Sequence, residues 1–399
     1  MPVSRRSFVK SAGVGSVGLL SAPLIAARGM EAERGYRAPW SELPELGPFA
    51  SEQRAAYRLP APGAIQLDSN ENPNGPGKTA LDAIRAMFAE APRYPDRATA
   101  DLASTIAGHF KVTPHHVLVG CGSGEVLRMA SYAFTSPERA LVTGAPSFED
   151  PTRHSEMMRA QIRAIPVDAS LKLDLGRMLD GVRGAGLVFL CNPNNPTGTV
   201  HGAAVVRQFI ADVNRLSPET VILVDEAYHE YVDDPAYATA LPIALENPKV
   251  IVVRTFSKVF GMAGLRAGYA IGMPQSLNAM RSHRLPNNVN VLASAAAMAT
   301  LRDQPHLDRE VQLNREAREF TRKALASMGF HAPASNANFI MVPIGRDSRV
   351  FRDACAKHDV LVGRPFPPLT THARISIGTM DEMKRATDVF RQVLSGAAN

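Results

Sequence analysis

The sequence predicts an α/β protein: a large domain on a mostly parallel sheet, followed by a smaller α+β domain at the carboxyl end. Three observations carry that expectation. Short β-branched runs bounded by turn residues recur from about Gly77 onward, and they read as buried strands. Helix-length segments separate most of them, and such alternation argues for parallel strands joined by crossover helices. After about Arg302 the pattern changes to one long charged helix, REVQLNREAREFTRKALASMG, followed by the short strands NFIMVPI and ARISIGT.

Taken in order, residues 36–75 are rich in Pro, Gly and Asn and read as an irregular polar arm. The large-domain strands are HVLVG (116–120), RALVTG (139–144), GLVFL (186–190), VILVD (221–225), VIVVR (250–254) and GYAIG (268–272). The expected limits are an amino-terminal segment 1–29, an arm 30–75, a large domain 76–290 and a small domain 291–399.

Composition excludes several classes of function. The net charge of +6 is spread along the chain, which suits small anions better than nucleic acid, and one Trp offers little for base stacking. No apolar run approaches the ~20 residues of a membrane span. Cys121, Cys191 and Cys355 are too few and too scattered for a disulfide framework or zinc site, and the eleven histidines show no metal spacing. The chain start differs from the rest. SRRSFVKSAGVGSVGLLSAPLIAARG pairs Arg5 with Arg6, adds Phe8 and Lys10, and continues into a weakly apolar stretch. It resembles a twin-arginine export signal, although no clean Ala-x-Ala site precedes Arg28. The resemblance implies passage through the twin-arginine translocase as a folded, cofactor-loaded protein, and a periplasmic or exported location.

Open α/β sheets bind ligands at the carboxyl ends of their strands, so the residues following each run are informative. HVLVG leads into Cys121, Gly122, Ser123 and Gly124, which open a helix whose free amides and dipole suit a phosphate. A dinucleotide reading of these glycines needs a carboxylate ending the next strand, and RALVTGAP has none. GLVFL leads into CNPNNPTGTV, a rigid loop that offers the amide of Asn195. VILV ends in Asp225, a carboxylate that is costly at a buried strand end unless it meets a cation, with Tyr228 behind it. VIVVR leads into Thr255, Ser257 and Lys258, with Arg266 further on.

One ligand uses all of these groups. Its phosphate takes the glycine loop, Arg266 and the Thr255 and Ser257 hydroxyls. Its protonated ring nitrogen takes Asp225, and its phenolic oxygen takes Asn195 and Tyr228. Its aldehyde takes Lys258, a nucleophile once a desolvated, cationic pocket lowers its pKa. That ligand is pyridoxal 5′-phosphate.

NPNNPTG, VDEAYHEY and RTFSKVFGMAGLRAGYAI together resemble the class I/II aminotransferases of PLP fold type I, over roughly residues 65–395. LDSNENPNGP, RYPD and ARISIGT resemble the histidinol-phosphate aminotransferase-like branch. The resemblance implies amino transfer between an amino acid and a 2-oxo acid, with Lys258 bonding the cofactor and moving protons. It implies that Phe148 of APSFED stacks on the cofactor ring and that Arg374 clamps the substrate carboxylate. Arg364 and Asn72 are implied at the substrate, and Tyr94 at the phosphate of a neighbouring subunit in a homodimer. The sequence departs from the family at Gly124, where Asp is usual, at Cys121, and in VGRPFPPLTTH around Arg364. A PLP-dependent lyase or decarboxylase, or a non-catalytic ligand sensor, is the alternative on the same fold. Retention of Lys258, Asp225 and Arg374 together argues against a sensor.

Overall fold

The computed structural model describes residues 60–61 and 63–396. The twin-arginine segment and most of the arm lie outside the described residues. The large sheet has seven strands: β2 (Val117–Gly120), β3 (Ala140–Ala145), β4 (Ile162–Pro166), β5 (Ala185–Cys191), β6 (Val221–Asp225), β7 (Val250–Thr255) and β8 (Gly268–Gly272), numbered after β1 (Ile65–Leu67). Their spatial order is β2-β8-β7-β6-β5-β3-β4. Strands β4, β3, β5, β6 and β7 run parallel, and β8 lies antiparallel to both β7 and β2. All six expected runs are strands, and the mostly parallel sheet is present.

The central strands are buried along their whole length because apolar clusters cover both faces of the sheet. That is why they read as continuous apolar runs. One strand of the large sheet escaped the sequence reading: β4, IRAIP, lies at the sheet edge and is only half-buried.

Reversal of β8 decides where the site is built. Parallel strands β5, β6 and β7 bring their carboxyl ends, Cys191, Asp225 and Thr255, to one edge of the sheet. Because β8 runs the other way, its beginning lies at that same edge, where Thr255 pairs with Gly268. Arg266, two residues before Gly268, therefore joins the residues that follow the parallel strands.

The carboxyl-terminal region adds β9 (Phe339–Pro343), β10 (Val360–Val362) and β11 (His372–Ser376). β9 and β11 pair antiparallel, and β10 pairs with β1 in parallel. The arm thus contributes a strand to the carboxyl-terminal region, and Ile65 and Leu67 share an apolar cluster with Phe351, Ile375 and Phe390. The helix Gln304–Ser327 serves two cores. Leu307 and Val311 pack with the large-domain cluster, and Ala317, Phe320 and Leu325 pack with the small one. The helix Val291–Thr300 packs wholly with the large-domain cluster.

A buried ion pair ties the ends of β6 and β7 together. Arg254 donates to Glu226 from Nη2 at 2.8 Å and from Nε at 3.1 Å. The Thr239 hydroxyl and the Ala240 amide donate to the same carboxylate, both at 2.7 Å. Removing one partner strands a buried charge, which costs about 3–5 kcal/mol. Glu226→Ala should therefore lower the Tm by on the order of 5–10 °C in thermal unfolding followed by circular dichroism. Glu226→Ala combined with Arg254→Met should lose less than Glu226→Ala alone.

Candidate active site

The strand ends line a cleft of about 680 Å³ between the large sheet and the carboxyl-terminal residues Val362, Arg364, Phe366 and Arg374. Lys258, Asp225, Tyr228, Asn195, Phe148, Ser123, Gly124, Thr255, Ser257, Arg266, Arg364 and Arg374 all border it. Two expected residues do not. The Asn72 side chain is held by the Val259 carbonyl at 2.9 Å and by Glu310 at 3.1 Å, so it anchors a loop. Tyr94 is 82% exposed and lies away from the cleft of its own chain.

At one end of the cleft the helix Gly122–Phe134 begins, and the side chain of Cys121 does not cap it. Gly122 has a φ of 72°, and a Cβ there would sit 2.3 Å from Arg266 Nη2. A Cβ on Gly268 would sit 2.3 Å from the Ser123 amide nitrogen. Two glycines therefore let strand, loop and guanidinium converge. The Thr255 hydroxyl donates to Ser257 Oγ at 2.9 Å, and Arg266 Nη1 reaches that oxygen at 3.4 Å. Glu125, absent from the expected site, ties the loop down: its carboxylate accepts from the Cys121 amide at 2.6 Å and from Asn288 at 2.7 Å.

The middle of the cleft holds two titratable groups whose burial works in opposite directions. Asp225 is 3% exposed, and its Oδ1 accepts from the Ala227 amide at 3.0 Å. Burial raises its carboxyl pKa to about 7, well above the ordinary range. Lys258 Nζ donates to the Asn70 carbonyl at 3.1 Å. Lost solvation, then the Arg374 charge, lower its pKa to about 8. An ammonium ordinarily near 10.5 thus becomes a nucleophile in mildly alkaline water.

Asn70 is the main residue that the sequence reading missed. It occupies the left-handed region at φ 55°, which Asn tolerates better than most residues. From there its side chain donates to the Tyr228 hydroxyl at 3.2 Å and accepts from Ser376 at 2.8 Å. The usable signal was SNEN itself, in which the neighbouring Asn72 attracted the assignment.

At the other end Arg374 is 7% exposed, and Nη1 donates to Asn195 Oδ1 at 2.9 Å. Its Nε is buried without a hydrogen-bond partner. Burial lowers its pKa to about 10, with Tyr228 opposing that shift. The guanidinium lies 4.6 Å from the Phe366 ring centroid and 5.7 Å from that of Phe339. Arg364 Nη2 pairs with Glu149 at 2.5 Å nearer the mouth.

These residues fit pyridoxal 5′-phosphate. Uncapped helix amides, two hydroxyls and Arg266 make an anion cradle, and the buried Asp225 lacks the cation that a protonated ring nitrogen would supply. The half-buried Phe148 and the buried Tyr228 hydroxyl complete a site for a flat ring bearing a phenolic oxygen. The raised Asp225 pKa has a consequence for the cofactor-free protein. Between the unfolded value of 3.8 and the folded value of about 7, the native state binds the extra proton, so stability falls as pH rises through that window. Asp225→Asn should remove this decline, seen as a shallower fall of Tm against pH than in the unsubstituted apoprotein.

Comparison with known proteins agrees with this geometry. Residues 62–390 match the family model for aminotransferase class I and II. A histidinol-phosphate aminotransferase of Symbiobacterium thermophilum is 36% identical over 333 residues, covering 83% of this chain and 90% of the relative. An aromatic amino acid aminotransferase of Thermobifida fusca is 37% identical over 324 residues, covering 80% and 87%. The structure of histidinol-phosphate aminotransferase from Sinorhizobium meliloti, in complex with pyridoxal 5′-phosphate, superposes with a TM-score of 0.78 at 27% identity, covering 92% of this chain and 99% of that one. The chain therefore belongs to the class I and II aminotransferases, as a pyridoxal 5′-phosphate-dependent transaminase that is histidinol-phosphate aminotransferase-like.

Proposed function

We propose that this aminotransferase takes α-amino acids as donors, gripping their carboxylate with Arg374, and that it works as a homodimer exported by the twin-arginine translocase. The observation that carries the donor assignment is Arg374 itself. It is a buried guanidinium on the wall that Lys258 shares, with one nitrogen unpartnered. A planar carboxylate matches that fork, and Phe366 and Phe339 keep the guanidinium from turning away.

The chain's own residues divide the work. Ser123, Gly124, Ser257 and Arg266 would hold the phosphate, Asp225 would keep the proton on the ring nitrogen, and Asn195 and Tyr228 would serve the ring oxygen. Bound there, pyridoxal 5′-phosphate supplies the electron sink for the pair left on Cα. Lys258 Nζ, which is substantially uncharged above about pH 8, accepts the Cα proton. Arg374 fixes the donor so that this proton points at the amine. Support for a homodimer is the RYPD match together with the exposure of Tyr94 in its own chain. Support for export is the SRRSF sequence at the chain start.

Two measurements test this reading. Arg374→Ala should lower kcat/KM for α-amino acid donors by roughly 30- to 1000-fold, the loss of a charge-assisted bidentate pair worth on the order of 2–4 kcal/mol. Arg374→Lys should recover little, and cofactor absorbance should be retained in both. Near-normal turnover in Arg374→Ala would refute the assignment, and release of CO₂ in place of stoichiometric oxo-acid exchange would indicate a decarboxylase. Separately, a reporter fused to residues 1–35 should cross a bacterial inner membrane only in cells with a working twin-arginine pathway, and Arg5→Lys with Arg6→Lys should stop it.

A further inference from the structure

One half-exposed ion pair includes a residue of the cleft wall. Arg364 lines the cleft near its mouth, and its guanidinium pairs with Glu149 at 2.5 Å, each side chain being 49% exposed. Glu149 directly follows Phe148 and precedes the helix Asp150–Met157, whose amides its carboxylate does not cap. The same guanidinium lies 4.3 Å from the Phe366 ring centroid, and Arg374 lies 4.6 Å from that ring. Phe366 is 5% exposed and packed against Leu171 and Met341, so it is a fixed spacer between a buried cation and a rim cation.

A transaminase passes two partners through one pocket in turn, the amino donor and the oxo-acid acceptor, so the pocket has to accept whatever charge each side chain carries. A lone Arg364 would favour acids and leave its charge unmatched against a neutral side chain. A permanently buried pair would reject acids. The observed pair is neither, because an exposed ion pair is worth about fivefold at most and can be exchanged cheaply. Resting on the Arg374 clamp described above, we propose that Glu149 determines specificity as an internal counter-anion. It holds Arg364 when the ligand's side chain is neutral and yields it to a ligand that carries a second acid, a carboxylate or a phosphate. Two-acid ligands then span Arg374 and Arg364 across Phe366, while one-acid ligands leave the rim pair closed.

The test uses the cofactor-loaded protein and three non-reacting probes, with binding followed by cofactor absorbance. Glutarate has two carboxylates, 3-phosphonopropanoate has one carboxylate and a phosphonate, and pentanoate has one carboxylate only. In Glu149→Gln the affinity for glutarate, for 3-phosphonopropanoate or for both should rise about fivefold relative to pentanoate. Which of the two responds more tells a carboxylate partner from a phosphate one. In Arg364→Gln the preference for two-acid probes should disappear, and adding Glu149→Gln to it should change nothing further. An unchanged ratio in Glu149→Gln would overturn the proposal. So would a gain that persists without Arg364, which would pass the role to Arg352 on the same wall. Failure of pentanoate itself to bind in the unsubstituted protein would instead count against the Arg374 clamp.

Discussion

The cleft depends on how the ammonium of Lys258 is satisfied. Its hydrogen bond goes to a neutral carbonyl, that of Asn70, rather than to a carboxylate. A contacting carboxylate would stabilise the charged form and hold the proton in place. A carbonyl orients the amine at little electrostatic benefit, and burial with the nearby Arg374 then lowers the pKa. That carbonyl has to be fixed. The Asn70 amide donates to the Ser376 hydroxyl at 2.8 Å, and Asn338 donates to the Asn70 carbonyl at 2.9 Å. The loop beyond it is held by Asn72 and Asn74, both bonded to the buried Glu310. One polar loop thus carries the lysine's partner, the Tyr228 contact and a connection to Ser376 on β11.

The charges around the cleft follow a consistent division. Glu226 is fully used by Arg254 and its neighbours, so it stabilises the sheet edge without competing for ligand. Asp225, one residue earlier, has a single backbone donor and retains unmet electrostatic demand. Adjacent carboxylates on one strand end therefore have different duties, because successive residues project to opposite sides of the backbone. Arg374 and Arg364 are separated in the same way, by burial: one is enclosed beside aromatic rings and the other is half-exposed at the rim.

The sequence was most legible where one physical rule acted locally. Buried parallel strands are written as apolar runs, and residues at their carboxyl ends gather by topology, so Asp225, Thr255, Ser257 and Lys258 could be named in advance. Strands β1 and β10 were illegible because each has three residues and exists through its pairing with the other. The reversal of β8 could not be read either, since a strand's sequence carries no direction. Arg266 lines the cleft through a turn that its sequence did not reveal. Asn70 and Asn72 have the same chemistry two positions apart, and only the left-handed backbone at Asn70 separates them. The role of Glu125 comes from contacts with residues more than a hundred positions away, which no local pattern shows.

The reversed strand has a further consequence. Since β7 and β8 pair directly, residues 256–267 form one closed loop, fastened at its base by the Phe256 amide on the Ala267 carbonyl at 3.1 Å. Lys258 stands near the start of that loop and Arg266 near its end, so the amine that would meet an aldehyde and the guanidinium that would meet a phosphate belong to one segment. A single short piece of chain therefore works as a pair of calipers, its opening set by the sheet, and gauges its ligand from one reactive end to the other.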